Sequence, residues 1–279
     1  MKGETTETAE RRFEFGENWA RFLSVLDDER IDAAVQSLRD NLQAPTLEGM
    51  RFLDIGSGSG LFSLAARRLG AEVVSFDYDV QSVECTRELR RRFFPGDSSW
   101  RIEQASALDG HFLEGLGRFD VVYSWGVLHH TGAMWLGIEN AIARVAGEGK
   151  LYIALYNDQG WKSHLWWFIK LIYNRLPSFL RPAYVFVASA LTRIAVVIKY
   201  LMRLQPKKAF APLLRDARRR GMSAKFDRVD WIGGFPYEFV EFDTLSKYFL
   251  ARGFTLLRAN RNSSHGCHEM VLQRGKCVE

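Results

Sequence analysis

The sequence predicts an α/β protein built on a doubly wound, largely parallel sheet, with an N-terminal helical cap and a helical insertion after the fifth strand. Strand patterns alternate with helix patterns over residues 51–156, which is typical of βαβ units. Three glycines follow the first predicted strand within five residues. A basic, aromatic segment then interrupts the alternation, and the α/β pattern returns beyond residue 227.

Hydrophobic periodicity gives the elements in chain order. Apolar residues recur at helical spacing over residues 13–42 and predict one or two helices, within a cap formed by residues 1–45. The main domain comprises residues 46–160 and 227–279, and the insertion comprises residues 161–226. Strands are predicted at 51–55, 71–76, 100–103, 119–124, 150–156, 255–258 and 269–273, and helices at 61–69, 80–94, 135–145 and 242–252.

The composition is that of an ordinary globular protein. Hydrophobic residues make up 47% and charged residues 25% of the 279 residues, which excludes a disordered or collagen-like chain. The three cysteines form no C-x-x-C pair, so we expect no disulfide framework and no structural zinc site, and a reducing cytoplasm as the compartment. Residues 1–12 are polar and lack the apolar core of a secretory signal, which also favours a cytoplasmic protein.

The positive charge is concentrated in one segment. Residues 161–220 hold thirteen Lys or Arg residues and a single acid, Asp216, so that their net charge is +12. The whole chain carries +5, and the remaining residues therefore carry −7. A basic, apolar block within an acidic body requires its own explanation.

The three glycines mark a nucleotide-binding turn. Gly56, Gly58 and Gly60 allow the backbone to turn sharply and to approach a ligand without a clash of side chains. The helix that follows directs its N-terminal N–H groups at any anion bound there. Asp54 lies in the preceding strand, and Asp77 ends the next one, where a carboxylate can accept both hydroxyls of a ribose.

The spacing of this turn distinguishes between nucleotide classes. The NAD fingerprint G-x-G-x-x-G would require a glycine at Leu61, and the Gly-Lys-Ser/Thr of a phosphate loop is absent. The segment Asp54–Gly60 instead resembles motif I of the class I S-adenosylmethionine-dependent methyltransferases. Gln104–Asp109 is similar to the adenine-contacting segment of that family, and Phe119–His130 is similar to its motif IV with the region that follows. The resemblance extends over residues 50–157 and the C-terminal part of the chain.

The resemblance implies an enzyme with a Rossmann-like sheet of seven strands, of which the last is antiparallel, and S-adenosylmethionine as its cofactor, with S-adenosylhomocysteine as the product. Asp77 then matches the ribose-binding acid, and Ser106 stands where the family more often has Asp, so a hydroxyl or backbone group would hold the adenine. Trp19 would either fold over the cofactor or pack within a helical core. The implied cofactor-binding residues, besides Trp19, are Asp54, Gly56, Ser57, Gly58, Gly60, Asp77, Tyr78, Ser106, Ala107 and Ser124.

Two adjacent histidines are the first candidates for a catalytic base. His129 and His130 follow the fourth strand, at the edge of the sheet where open α/β folds bind ligands. Transfer of a methyl group to a hydroxyl requires a base, and histidine is suited to this task because its unperturbed pKa is about 6.5. Adjacent side chains rarely face the same way, so we favour His130 as the base and His129 as a scaffold or cofactor-side residue. A purely structural role for both histidines remains the alternative.

Other segments limit the chemistry. The sequence Ser124–Val127 lacks the Asn/Asp-Pro-Pro-Tyr/Phe motif of enzymes that methylate base amino groups, which disfavours a nucleic-acid acceptor. The ligand-type residues of His265–His268 precede a strand, and we expect them to serve the substrate pocket rather than a metal. The loop 227–238 is rich in carboxylates and aromatic residues, and Tyr237 and Glu238 are the second candidates for acid–base catalysis.

The insertion has three possible roles: a lid over the acceptor, a peripheral membrane contact through residues 161–205, or an interface in a homo-oligomer. Arg193 interrupts the apolar run, so we expect no membrane-spanning helix. Because exposed tryptophans favour aggregation, we expect the aromatic face to be covered.

The sequence therefore predicts methyl transfer to a small, lipid-linked or glycan-linked acceptor, with oxygen as the favoured acceptor atom. One alternative is an RNA methyltransferase that uses the basic insertion to bind phosphates, and whose binding would weaken steeply with salt. The other is a cofactor-binding scaffold of the same fold that has lost its activity.

Overall fold

A computed structural model describes residue 23 and residues 26–202, 231–262 and 266–276. Most of the predicted N-terminal cap, including Trp19, lies outside the described residues, and so does His265. The helices are α1 Asp28–Leu42, α2 Leu61–Arg68, α3 Val80–Phe93, α4 Gly110–Gly115, α5 Met134–Arg144, α6 Trp161–Arg175, α7 Arg181–Met202 and α8 Phe242–Leu250. The strands are β1 Arg51–Ile55, β2 Glu72–Asp77, β3 Trp100–Gln104, β4 Phe119–Trp125, β5 Val145–Tyr156, β6 Phe254–Asn260 and β7 Cys267–Arg274.

The described strands form one seven-stranded sheet in the order β3-β2-β1-β4-β5-β7-β6. Strands β1 to β5 pair in parallel, whereas β7 is antiparallel to both β5 and β6. The predicted doubly wound sheet with an antiparallel last strand is therefore confirmed. The two neighbours of β1 are β2 and β4, so the direction of winding reverses at β1, and ligands of open α/β sheets bind beside such a reversal.

Two hydrophobic cores cover the two faces of the sheet. On one face, Ile31 of α1, Leu64 of α2 and Leu89 of α3 pack in a single buried cluster. On the other face, helices α4, α5 and α8 pack in the second cluster. Because both faces are covered, the central strands read as nearly continuous apolar runs, which is why the sequence predicted them.

Two elements differ from the prediction by more than a shift of a few residues at their ends. β5 begins at Val145, five residues before the predicted start, because Val145 pairs with Phe119 across an irregularity in the ladder with β4. The short helix α4 was not predicted, since six residues are too few to show a helical period. It begins at the capping residue Asp109, whose carboxylate accepts the backbone N–H of Phe112 at 3.0 Å.

The described residues of 161–202 and 231–235 belong to a compact unit of their own, and the sheet belongs to a second unit. In the first unit, α6 turns Ser163, Trp166, Lys170 and Tyr173 inward. A helical turn that begins at Trp231 packs on this face: the ring centroids of Trp166 and Trp231 lie 5.7 Å apart, and Lys170 Nζ donates to the carbonyl of Trp231.

The aromatic residues of this unit are only partly covered. Trp166 is buried, whereas Trp161 is 71% exposed and Phe168 is 56% exposed within the single chain, so the expectation that the aromatic face is covered stays a prediction for these two residues. Among the described residues, one helix, Ser178–Met202, has the length and mean hydropathy, 1.8, that would allow it to cross a membrane. Despite Arg193, the helix meets these criteria of length and hydropathy, and the expectation that it does not span stays a prediction.

Candidate active site

The glycine turn joins β1 to α2 at the carboxyl edge of the sheet. The backbone N–H groups of Gly56 and Ser57 both donate to the carbonyl of Phe76 in β2, at 2.9 and 3.0 Å. Gly56, Gly58 and Gly60 have φ angles of +75°, +54° and +79°, a region that glycine enters without strain. The turn is thus fixed to the neighbouring strand and leaves little room for side chains.

At two of these glycines, neighbouring atoms leave no space for a side chain. A Cβ atom on Gly56 would lie 2.4 Å from a methyl carbon of Val127, and one on Gly60 would lie 2.8 Å from the Cα of Thr86. Backbone atoms such as the Cα of Thr86 can move aside only at a cost in free energy of folding. The glycines therefore allow the turn to pack closely against the segments that flank it.

Asp77 ties the turn to the end of β2. One carboxylate oxygen accepts the N–H of Gly58 and the other accepts the N–H of Asp79, both at 2.9 Å. Burial raises the pKa of Asp77 to about 6 despite these two donors. Each carboxylate oxygen has a second lone pair, so Asp77 can also accept hydrogen bonds from the hydroxyls of a ribose.

Asp54 lies beneath the turn in a chain of hydrogen bonds. The indole N–H of Trp100 donates to the Oγ of Ser75 at 2.9 Å, the hydroxyls of Ser75 and Ser63 lie 2.7 Å apart, and Ser63 Oγ donates to Asp54 at 2.5 Å. Asp54 is only 1% exposed, and burial raises its pKa to about 7. The carboxyl group therefore faces this chain, and its predicted contact with the cofactor stays a prediction.

The segment that resembles the family's adenine-contacting region lies at the same edge of the sheet. The N–H of Ala105 donates to the carbonyl of Asp77 at 3.0 Å, which joins the end of β3 to the end of β2. Ser106 Oγ accepts the N–H of Leu108 at 3.2 Å, and Ala107 is buried. Tyr78 follows Asp77 and is 52% exposed. The segment 105–107 thus lies beside Asp77, where the resemblance places the adenine.

Two predicted serines have internal partners. Ser57 Oγ lies 3.0 Å from the hydroxyl of Thr86 in α3. Ser124 is fully buried, and its Oγ donates to the carbonyl of Ile55 at 3.4 Å, which joins β4 to β1 at the turn. Both serines support the glycine turn from within the protein.

The histidine pair lies in a short 3₁₀ helix directly after β4. His130 Nδ1 is 2.6 Å from the carbonyl oxygen of Pro236. Because a carbonyl only accepts hydrogen bonds, Nδ1 must carry a proton, and the lone pair of a neutral ring then lies on Nε2. His129 is buried, and its Nδ1 accepts the N–H of Tyr156 at 3.3 Å, which gives it the opposite tautomer.

Tyr156 is a site residue that the sequence analysis missed. Its ring centroid lies 3.9 Å from that of His129, 5.4 Å from that of His130 and 5.1 Å from that of Tyr237. The available signal was its position: Tyr156 ends β5, and the carboxyl ends of neighbouring parallel strands meet at one edge. The structure thus places three of the four catalytic candidates, His129, His130 and Tyr237, beside the ring of Tyr156.

The fourth candidate, Glu238, caps the start of helix α5. Both of its carboxylate oxygens accept the N–H of Met134, at 3.1 and 3.0 Å, at the start of α5. Its own N–H donates to the carbonyl of His129 at 2.9 Å. Burial raises the pKa of Glu238, and the backbone donors Met134 and Gly132 oppose that rise. This arrangement fixes the loop that carries Pro236 against the histidines.

The described residues contain no group of three or more His, Cys, Asp or Glu side chains that could hold a metal ion. His268, from the segment with ligand-type residues, is buried, and its Nδ1 accepts the N–H of Asn262 at 3.1 Å. Burial lowers its pKa.

The fold and the edge site define a methyltransferase. The family model described as a methyltransferase domain matches residues 28–195, and the chain belongs to this family. The glycine turn with positive φ angles, the acceptor oxygens of Asp77 and the adjacent segment 105–107 fit an adenosine with its ribose. The chain is an S-adenosylmethionine-dependent methyltransferase, as the resemblance implied.

Curated relatives match only part of the chain. A ubiquinone biosynthesis O-methyltransferase from Chelativorans sp. strain BNC1 is 31% identical over 128 residues, which cover 46% of this chain and 49% of the relative. A protein of the same name from Brucella melitensis biotype 2 is 30% identical over 119 residues, which cover 43% and 46%. The chain thus spans about half the length of the curated relatives it matches.

Solved structures share the fold at low identity. Magnesium protoporphyrin IX methyltransferase from Synechocystis PCC 6803, solved with bound SAH, superposes with a TM-score of 0.56 at 13% identity, over 98% of this chain and 100% of that one. The 1,6-didemethyltoxoflavin-N1-methyltransferase of Burkholderia thailandensis, with bound S-adenosylhomocysteine, gives 0.51 at 14% identity, over 99% and 92%. Both structures hold the demethylated cofactor in this fold.

We predict that Gly60→Ala destabilises the protein more than Gly253→Ala does. Both glycines have a similar positive φ, +79° and +77°, so both variants incur the same backbone strain, about 1–2 kcal/mol. No atom lies within 4 Å of a Cβ on Gly253, whereas a Cβ on Gly60 would lie 2.8 Å from the Cα of Thr86. Urea unfolding should show an additional loss of about 1–3 kcal/mol for Gly60→Ala. Equal losses would mean that the turn adjusts freely.

We predict that Asp54→Asn removes a pH-dependent cost of folding. The pKa of Asp54 rises from 3.8 in the unfolded chain to about 7 in the folded protein. Its contribution to stability is therefore complete below about pH 4 and is lost as the pH rises through about 7. Urea unfolding without cofactor should show that the variant gains about 2 kcal/mol relative to the wild type between pH 5 and pH 8. A pH-independent difference would mean that Asp54 titrates normally.

Proposed function

We propose that this methyltransferase transfers its methyl group to a hydroxyl oxygen of a small or lipid-linked acceptor, and that His130 is the general base. Support for an oxygen acceptor comes from the curated relatives, which are named as O-methyltransferases. Support for the base comes from the geometry of His130. A glycan-linked acceptor and a cytoplasmic location remain further proposals from the sequence.

The tautomer of His130 is the observation that carries the proposal. The 2.6 Å contact of Nδ1 with the carbonyl of Pro236 fixes the proton on Nδ1 and the lone pair on Nε2. His130 is half-buried, and it follows β4 at the carboxyl edge. A ring nitrogen with a lone pair at this edge is the group that a hydroxyl acceptor requires.

Bound S-adenosylmethionine supplies a methyl group activated by a positively charged sulfur. The glycine turn and Asp77 would hold the nucleoside of the cofactor. His130 Nε2 would take the proton of the acceptor hydroxyl as its oxygen attacks. The carbonyl of Pro236 would stabilise the resulting imidazolium, since it already accepts the Nδ1 proton.

The other residues of the cluster position this base. His129 accepts a backbone N–H through Nδ1 and is buried, which favours a scaffold role. Glu238 fixes the loop that carries Pro236 through the N–H of Met134. Tyr237 is buried against Tyr156 and would exclude water from the acceptor. Tyr237 and Glu238 remain the second candidates for acid–base catalysis.

We predict that His130→Gln lowers kcat for a hydroxyl acceptor by about 10²- to 10⁴-fold, because it removes the base. The affinity for S-adenosylhomocysteine should stay within a few-fold, because the glycine turn and Asp77 carry it. The measurement is the rate of S-adenosylhomocysteine formation with catechol as the probe acceptor, together with calorimetry. His111→Gln, at an exposed position of α4, is the matched control and should retain full activity.

A comparison with an amine acceptor shows whether the loss of activity is due to the missing base. Aniline attacks through its nitrogen lone pair and needs no base before the attack, so His130→Gln should impair methylation of catechol far more than any methylation of aniline. If His130→Gln retains full activity with the hydroxyl acceptor, the assignment of the base is wrong. If the wild type methylates only the amine, oxygen is the wrong acceptor atom.

A further inference from the structure

The outward face of helices α6 and α7 is unusually apolar for a surface exposed to water. We call it the hairpin face and define it by the apolar side chains that are exposed on the two helices. On α6 these are Trp161, Leu165, Phe168 and Ile172, and on α7 they are Phe186, Val187, Leu191, Ile194, Val196, Ile198, Leu201 and Met202.

The α6 part of the hairpin face is a single stripe. Its four residues, at positions 161, 165, 168 and 172, are spaced by four, three and four residues, which places them on one side of a helix. They are 71%, 49%, 56% and 46% exposed, respectively. The opposite side of α6 is buried through Trp166 and its inward neighbours, so α6 has a fixed inside and outside.

Helix α7 exposes its apolar side, which a surface helix of a water-soluble protein normally buries. Its half-buried side carries mostly polar or small residues, apart from Val185 and Val197. Tyr184 donates its hydroxyl proton to the carbonyl of Ile169 in α6 at 3.0 Å, and Arg181 Nε donates to the carbonyl of Leu176 at 3.1 Å. Most of its large apolar residues are exposed, with Phe186 at 76% and Leu191 at 61%. A surface helix in water normally turns its apolar stripe inward.

The charge of the hairpin indicates what covers this face. Residues 161–202 contain six Lys or Arg residues and no Asp or Glu. A partner that matches both the apolar face and the positive charge must have an apolar interior next to negatively charged groups. A bilayer with anionic phospholipids has this chemistry, because its acyl boundary accepts apolar side chains and its headgroups attract Lys and Arg.

We propose that the hairpin face docks onto an anionic lipid bilayer, with α6 and α7 lying in the plane of the membrane. The stretch Ser178–Met202 is long enough to span, but α7 carries Arg181, Tyr184, Ser189 and Thr192 along one side. A spanning helix is apolar on all sides, whereas an in-plane helix has one polar and one apolar side. The proposal is independent of the methyl acceptor.

Sedimentation of the full-length protein with lipid vesicles tests the proposal. The vesicles contain either phosphatidylcholine alone or phosphatidylcholine mixed with phosphatidylglycerol, and each is used at low and high salt. We expect binding to the mixed vesicles that is at least about tenfold stronger than binding to phosphatidylcholine alone, and that weakens with salt. No association with the mixed vesicles would overturn the proposal.

Two variants and one control separate the apolar and ionic contributions. The variant Phe186→Ser/Leu191→Ser/Ile194→Ser should lower the binding constant by at least about tenfold, because it removes three inserted side chains. The variant Lys162→Gln/Arg193→Gln should lower binding to the anionic vesicles by about tenfold. The control Leu136→Ser/Leu250→Ser/Leu256→Ser replaces side chains of similar exposure in the other unit and should bind as the wild type does.

Circular dichroism and binding of S-adenosylhomocysteine establish that each variant is folded. If the control loses vesicle binding as the triple variant does, the hairpin face is not the docking surface. A wild-type dimer in ultracentrifugation that the triple variant loses, without vesicle binding, would assign the face to a second copy of the chain. Protein that resists carbonate extraction and requires detergent for release would show a spanning helix and overturn the in-plane arrangement.

Discussion

The carboxylate of Asp77 connects the parts of the candidate cofactor site. It accepts the N–H of Gly58 in the glycine turn and that of Asp79 at the start of α3, so one side chain holds the turn, the end of β2 and the next helix. Its backbone carbonyl also accepts the N–H of Ala105, which adds the adenine-contacting segment. Burial of a carboxylate is unfavourable, and the pKa of Asp77 rises accordingly. The backbone donors stabilise the charge that burial disfavours, and the hydroxyls of a ribose would do so too.

Backbone groups also fix the side chains of the histidine pair that follows β4. Backbone partners give the two histidines opposite tautomers: the carbonyl of Pro236 orients His130, and the N–H of Tyr156 orients His129. Adjacent histidines with different partners can therefore have different roles. Glu238 then fixes the Pro236 loop to the start of α5, so that the position of His130 depends on the carboxylate of Glu238.

Much of the fold could be predicted from the sequence, because buried parallel strands appear as short, nearly continuous apolar runs, whereas amphipathic helices repeat their apolar residues every three to four positions. The residue types of the glycine turn and Asp77 also followed from spacing, and the structure places them together. Side-chain direction could not be predicted: Asp54 is only two residues from Gly56, yet it faces Ser63 in the interior. Tyr156 was missed since nothing in its local sequence shows that β5 ends beside the histidines. Likewise, the pattern of α7 alone does not tell which side faces α6.

The most direct test of this account is calorimetry of S-adenosylhomocysteine binding to the variants Asp77→Asn and Asp79→Asn. Both variants remove one negative charge, but Asp79 accepts the N–H of Gln81 at the start of α3, a role that Asn can also fill. In Asp77→Asn, one amide oxygen replaces two carboxylate oxygens that face two backbone donors. The account predicts that Asp77→Asn weakens binding by at least about tenfold, and that Asp79→Asn changes it less than about threefold. Unchanged binding in Asp77→Asn, or an equal loss in both variants, would contradict it.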